Sequence, residues 1–132
     1  GSWLAPCMSM NKKPPFKFAK PYDLRDRLFE YARAIVYVAQ YLHTKDDVAR
    51  SLADQILRAG QSAGANYEEA DDGSSSADTR GKRRISLREL KEALFRLRVV
   101  RETGYLGPEY DEVIQETLEL SRRQWRERDG GT

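Results

Sequence analysis

The chain has 132 residues, of which 39% are hydrophobic and 33% are charged, and its formal net charge is +2. This length suffices for one domain with its own core and excludes two domains of ordinary size. No apolar run approaches the ~20 residues that a membrane-spanning helix needs. The clear period of the apolar residues argues against general disorder. We therefore expect one soluble, charged and helical domain, with no membrane as a partner.

Cysteine and histidine are scarce, because the chain holds only Cys7 and His43. One cysteine cannot form an internal disulfide and no signal peptide is visible, so we expect a cytoplasmic protein. Zinc sites need three or four ligands and di-iron bundles need Glu-x-x-His pairs. His43 lies at a predicted helix end, where a capping or surface role is favoured over catalysis. We therefore predict no metal, no cofactor and no enzyme, and name no catalytic residue.

The two ends of the chain are predicted to lie outside the helical domain. Residues 1–21 form an irregular basic arm, since prolines interrupt it and lysines give it charge. The arm is either a disordered leader, which we favour, or a segment that wraps on a neighbour through Phe16 and Phe18. Residues 129–132 are a short tail, which leaves residues 22–128 for the folded domain.

Apolar residues at alternating spacings of three and four predict helices in four places. The first helix runs from about Asp23 to Thr44, and the second runs from about Asp47 to Asp71 after a cap at Asp46 or Asp47. The third is strongest over residues 85–101, and Ser75 with Asp78 can cap its start. The fourth spans about residues 109–128, after a turn at Gly104 and Gly107-Pro108. Short connections between four helices predict an all-α, antiparallel up-down-up-down four-helix bundle.

The second helix carries small residues and one informative polar residue on its apolar face. Gly60 and Gly64 suggest close approach by another backbone or by a bulky side chain, because glycine is unfavourable inside a helix. Asn66 falls on the same face, where burial without a hydrogen bond is costly. We predict that it joins a buried or interface network with three carboxylates, Glu69, Glu89 and Glu92. The alternative is a rotated helix that exposes Asn66.

The small net charge hides two blocks of opposite sign. Residues 66–78 carry five acidic residues and no basic ones, whereas residues 80–101 carry nine basic and two acidic ones, a local charge of +7. Phosphate contacts to nucleic acid are one interpretation of the basic block. The other, slightly favoured, is a solvated face or ion pairs with the acidic block, within one chain or between subunits. The candidate nucleic-acid contacts are Arg80, Lys82, Arg83, Arg84 and Arg88.

The segment from Ser62 to Ala70 reads Ser-x-Gly-Ala-Asn-x-x-Glu-Ala, and Ser75, Ala77 and Asp78 continue it as Ser-x-Ala-Asp. This pattern resembles the bacterial four-helix bundle protein family, also called the S23 or 23S rRNA intervening-sequence protein family. The resemblance covers about residues 22–106. The sequence departs from the family pattern at Thr79 and Arg80, where an apolar pair is usual, and this departure enlarges the basic block.

The resemblance implies an antiparallel four-helix bundle that assembles into a ring-like homopentamer and is not an enzyme. A related branch of that family serves as the accessory protein of diversity-generating retroelements, in which the pentamer binds the reverse transcriptase and its template RNA through basic surfaces. We therefore predict a homopentameric scaffold or adaptor that binds RNA or DNA without sequence specificity. The alternatives are a protein–protein assembly module and an accessory subunit of a retroelement reverse transcriptase.

Overall fold

The fold is an all-α bundle, seen in a computed structural model that describes residues 16–72 and 75–127. Four long helices follow in chain order, and a 3-10 turn at Pro108–Tyr110 precedes the last one. Their bounds are α1 Leu24–His43, α2 Asp47–Asp71, α3 Ser76–Glu102 and α4 Asp111–Trp125. Neighbours in the chain pack together, and α4 packs back on α1. The predicted four-helix bundle is confirmed.

Side-chain caps start the first three helices. The Asp23 carboxylate accepts from the backbone N–H groups of the first turn of α1, and Asp46 accepts from Ala49 at the start of α2. Ser75 accepts from the Asp78 N–H, so α3 begins about two and a half turns before Ile85, where its apolar pattern becomes strong. Local capping chemistry thus sets the starts of these helices, as the sequence predicts.

Glycine ends α3 at the predicted turn. Gly104 adopts a φ of 88°, a conformation that residues with a Cβ rarely adopt. The chain reverses there, and the Leu106 N–H donates to the Val100 carbonyl. Leu106 is then fully buried, so the turn also closes one end of the core.

The core uses the predicted face of α1 and most of the apolar face of α2, where Ile56, Ala59, Ala63 and Ala70 are buried. Every apolar residue of the predicted α1 pattern is buried. On α2 the buried side chain near the end is Tyr67, whereas Asn66 is half-buried. Gly60 explains the small-residue face, because a Cβ there would lie 2.9 Å from Ile35 Cγ2 on α1. Gly64 has no such contact, since the nearest atom would be 3.7 Å away.

We expect alanine to have opposite effects on stability at Gly60 and at Gly64. Alanine is favoured over glycine inside a helix by up to about 1 kcal/mol, so we expect Gly64→Ala to raise the free energy of unfolding. Gly60→Ala should lower it by about 1–3 kcal/mol, because the β-branched Ile35 cannot move aside without straining the core. Urea denaturation of both variants measures the difference. Equal changes in the free energy of unfolding of the two variants would contradict the tight contact between α1 and α2 at Gly60.

A layer of polar side chains crosses the core between α1, α3 and α4. Arg27 binds Glu116 through two hydrogen bonds of 2.8 and 2.7 Å, and Glu116 is only 1% exposed. Gln124 donates to Ser86 Oγ, which donates in turn to the Ala63 carbonyl. Each of these buried groups has a partner, as buried polar groups require. The apolar pattern of the sequence did not reveal this layer.

The end of the N-terminal arm packs on the bundle of its own chain. Phe16 is buried, and its ring centroid lies 6.0 Å from that of Tyr110. Phe18 packs against the same core, and Lys20 pairs with Glu119 at 3.1 Å. The favoured prediction of a disordered leader is therefore wrong for residues 16–21, because two aromatic rings gain by burial. Residues 1–15 of the predicted arm, and the predicted tail, lie outside the described residues.

Candidate nucleic-acid interface

The outward face of α3 carries a line of cations with one aromatic residue among them. Its members recur every three or four residues, so they share one side of the helix. All of them are exposed. They extend along roughly 27 Å of helix at 1.5 Å per residue. We call this set the α3 stripe: Arg80, Arg84, Arg88, Lys91, Phe95 and Arg98.

Two of the predicted contact residues point elsewhere. Lys82 Nζ lies 2.7 Å from the Glu69 carboxylate, and Arg83 lies 3.4 Å from Asp71. The Arg83 guanidinium also lies 5.3 Å from the centre of the Tyr67 ring. Lys82 and Arg83 therefore face the acidic end of α2, whereas the other three candidates lie on the outward face of α3. Phosphate contact by any of the five stays a prediction.

The cations of the α3 stripe have no acidic partner within residues 16–72 and 75–127. Most cations elsewhere on the bundle, such as Arg27, Arg58 and Arg101, do form ion pairs. Lys91 of the α3 stripe makes a cation–π contact with Trp125. Uncompensated like charges in a row create a positive potential that attracts anions. The α3 stripe is therefore a positively charged surface that can attract anions.

The predicted network around Asn66 separates into independent contacts in the structure. The Asn66 amide donates to the Ser62 carbonyl and hydroxyl on its own helix. Glu69 pairs with Lys82, whereas Glu89 and Glu92 both accept from Arg58. Among the described residues no hydrogen bond joins Asn66 to Glu69, Glu89 or Glu92, so the predicted buried or interface network is not seen within one chain. A role for these residues between subunits stays a prediction.

Arg58 links α2 to α3 through these two carboxylates. Hydrogen bonds to Glu92 and Glu89 raise the pKa of Arg58. Partial burial would raise the pKa of Glu92, but hydrogen bonds from Arg58 and Arg96 outweigh it and lower that pKa. Arg58 and Glu92 therefore stay charged near neutral pH, and the contacts of Arg58 hold α2 against α3.

A shallow groove runs between α1 and α2, away from the α3 stripe. Small residues form its floor, including Ala32, Gly64 and Ala65. Phe29 lines it and is 62% exposed, while Arg25 and Glu68 bring opposite charges to its edges. An exposed aromatic ring beside small residues gives an apolar surface that another helix can approach closely.

Neither metal chemistry nor membrane insertion finds support in the described part of the chain. No group of three or more His, Cys, Asp or Glu side chains there could hold a metal ion. None of the helices described is both long and apolar enough to cross a bilayer. His43 Nε2 lies 2.7 Å from an Asp54 carboxylate oxygen at the end of α1, an exposed contact between α1 and α2.

Comparison with known proteins identifies the family of this chain. The family model described as 23S rRNA-intervening sequence protein matches residues 22–124. The chain belongs to this family. A crystal structure of a protein of unknown function from the S23 ribosomal protein family of Bacteroides thetaiotaomicron is 28% identical, with a TM-score of 0.74. The match covers 80% of this chain and 98% of that one. A comparison with curated proteins finds no match.

Membership in the 23S rRNA-intervening sequence protein family confirms the resemblance, and the structure shows where its central motif lies. Ser62 and Asn66 are hydrogen-bonded along α2, and Gly64 and Ala65 of the same motif line the α1–α2 groove. Sequence analysis counted Lys91 and Arg98 in the basic block but did not name them as candidate contacts, and it did not find Trp125. The spacing from Arg80 to Arg98 could have revealed the first two.

Proposed function

We propose that this member of the family is a non-enzymatic, homo-oligomeric scaffold that binds nucleic acid through the α3 stripe. The observation that carries the proposal is the row of exposed cations without acidic partners in the described residues. Four of the five are arginines, whose planar guanidinium groups donate paired hydrogen bonds to phosphate oxygens. Contacts to phosphates carry no sequence information, so binding should be nonspecific.

Self-association is the second part of the proposal. The family resemblance implies a ring-like homopentamer, and Gly64, Ala65 and Glu68 of the motif at residues 62–70 line the exposed α1–α2 groove. Phe29 supports contact there, because a large ring stays 62% exposed beside small residues. The groove and the α3 stripe lie on different faces, so one surface can serve assembly while the other binds phosphate. Several stripes in one oligomer would strengthen binding through their high effective concentration.

A protein–protein assembly module without nucleic-acid binding is the main alternative. The exposed groove favours it, whereas the charge blocks do not. Lys82 and Arg83 already pair with the acidic end of α2 in the same chain, which leaves less charge for a neighbouring subunit. An accessory role beside a reverse transcriptase stays a prediction, and a neighbouring gene for such an enzyme would support it.

A salt titration of the intact protein tests the proposal. Fluorescence anisotropy with labelled RNA and DNA of mixed sequence should detect binding at low salt and a steep loss as salt rises. The logarithmic slope should be about −3.5 for a single strand if all five cations of one stripe contact phosphates. Light scattering on the same samples should give about five times the 15.2 kDa chain mass.

The outcomes of this experiment separate the two halves of the proposal. No binding at the lowest salt would contradict the nucleic-acid role, and an oligomer in that case would support the assembly module. A mass of one chain would contradict self-association. Binding that is insensitive to salt would show that the α3 stripe does not supply the contacts.

A further inference from the structure

Two exposed aromatic rings flank the middle of the α3 stripe. Phe95 is 63% exposed and lies one turn from both Lys91 and Arg98. Trp125 of α4 is 50% exposed, and its ring centre lies 5.3 Å from Lys91 Nζ. Thus α3 contributes Phe95 and α4 contributes Trp125 to the surroundings of Lys91.

The other large rings are divided between core and surface, since Tyr22 and Phe29 are exposed as well. Tyr31 is fully buried and Phe16 almost so, as expected from the large area that an aromatic side chain removes from water. A single exposed ring needs no explanation. Here, however, the two rings lie among cations that have no acidic partner in the described part of the chain, and this combination of charge and stacking surface is typical of single-strand-binding sites.

Cations and aromatic rings differ in how they bind single strands and duplexes. Cations attract the phosphates of either form. An aromatic ring can stack only on a base whose face is open, and pairing and stacking inside a duplex cover those faces. Each aromatic–base stack changes affinity by about 5- to 150-fold when the ring is removed, and it tolerates any base.

We propose that the α3 stripe with Trp125 is a single-strand site, in which Phe95 and Trp125 stack on bases while Arg88, Lys91 and Arg98 bind the flanking phosphates. This inference rests on the proposed function and narrows its ligand class. RNA and DNA share the chemistry that is recognised, so both fit the site.

Binding of matched probes to aromatic variants tests the site. The probes are fluorescein-labelled oligo(U), oligo(dT) and a duplex of about 15 nucleotides per strand, within the known range of single-strand sites. Phe95→Ala and Trp125→Ala should each weaken single-strand binding by about 5- to 150-fold and leave duplex binding and the salt slope unchanged. Tyr22→Ala is the matched control, because this ring is also exposed but lies against Arg123, outside the α3 stripe and the α1–α2 groove.

A second measurement does not depend on removing a ring. In a Trp3→Phe background Trp125 is the sole tryptophan of the chain, so its fluorescence should be quenched by saturating oligo(dT) and much less by duplex. Trp125→Phe should retain most of the single-strand affinity, since phenylalanine also stacks. Circular dichroism and light scattering verify that each variant keeps its fold and assembly.

Three results would overturn the inference. Single-strand affinity that is unchanged in both alanine variants would exclude stacking while leaving cation-based binding, and thus the proposed function, intact. Equal losses on single strands and duplexes would show that the rings only support the structure. No binding of any probe by the intact protein would remove the proposed function together with this site.

Discussion

Arg27→Met is expected to lower the free energy of unfolding by about 3–5 kcal/mol, because it leaves a buried carboxylate without its cation. Glu116 is 1% exposed and accepts two hydrogen bonds from Arg27, whose own side chain is 12% exposed. Hydrogen bonding to Glu116 raises the pKa of Arg27 despite its partial burial. Urea denaturation followed by circular dichroism measures the loss.

Two controls isolate the cost of the unpaired charge. Arg27→Met combined with Glu116→Met removes both charges and should cost less than the single change, because no buried ion is left. Arg33→Met breaks the Arg33–Glu30 pair, in which both side chains are about one third exposed, and should cost no more than about 1 kcal/mol. If Arg27→Met alone is as stable as the variant that combines it with Glu116→Met, or more stable, the buried ion pair is contradicted.

Charge reversal at Arg84 and Arg88 is expected to abolish most nucleic-acid binding. Removing two phosphate contacts should cost about 25-fold in single-strand affinity at 0.1 M salt, and reversal to Glu should cost more through repulsion. The salt slope should become shallower by about 1.4. Both side chains are exposed and without ion pairs to described residues, so stability and oligomer mass should stay unchanged. Anisotropy and light scattering measure both properties.

Lys45→Glu with Arg50→Glu is the matched control for this reversal. It changes the net charge by the same amount at exposed positions beside the α1–α2 connection, away from the α3 stripe. We expect a much smaller loss of affinity. Equal losses in the two double variants would mean that net charge, and not the α3 stripe, controls binding. Loss of the oligomer in Arg84→Glu/Arg88→Glu would instead favour the assembly module.

Most of the fold could be predicted because its determinants are local. The caps Asp23, Asp46 and Ser75 act within one turn of their own helices, and the apolar spacing of α1 needs no distant partner to be recognised. The start of α3 was harder, since residues 76–84 carry charges and a glycine in place of an apolar pattern. There the cap at Ser75 predicted the helix start and the hydrophobic period did not.

The candidate site was predicted only in part, because its geometry depends on helix rotation. One residue along a helix is a turn of about 100°, so neighbours in the basic block face different ways. Arg83 points to Asp71 on α2, whereas Arg84 joins the exposed stripe. For the same reason Tyr67 is buried, whereas its neighbour Asn66 is half-buried. A list of adjacent basic residues could not separate these roles.

The sequence by itself determined four helices, their capped starts, the turn at Gly104 and the family to which the chain belongs. These features follow from short-range hydrogen bonds and from a periodic apolar pattern. Tertiary structure alone decided which cations have acidic partners, and it alone brought Trp125 of α4 beside Lys91 of α3. The physical reason is that ion pairs and ring contacts between helices depend on how each helix is rotated in the packed core, and packing across the whole bundle sets that rotation.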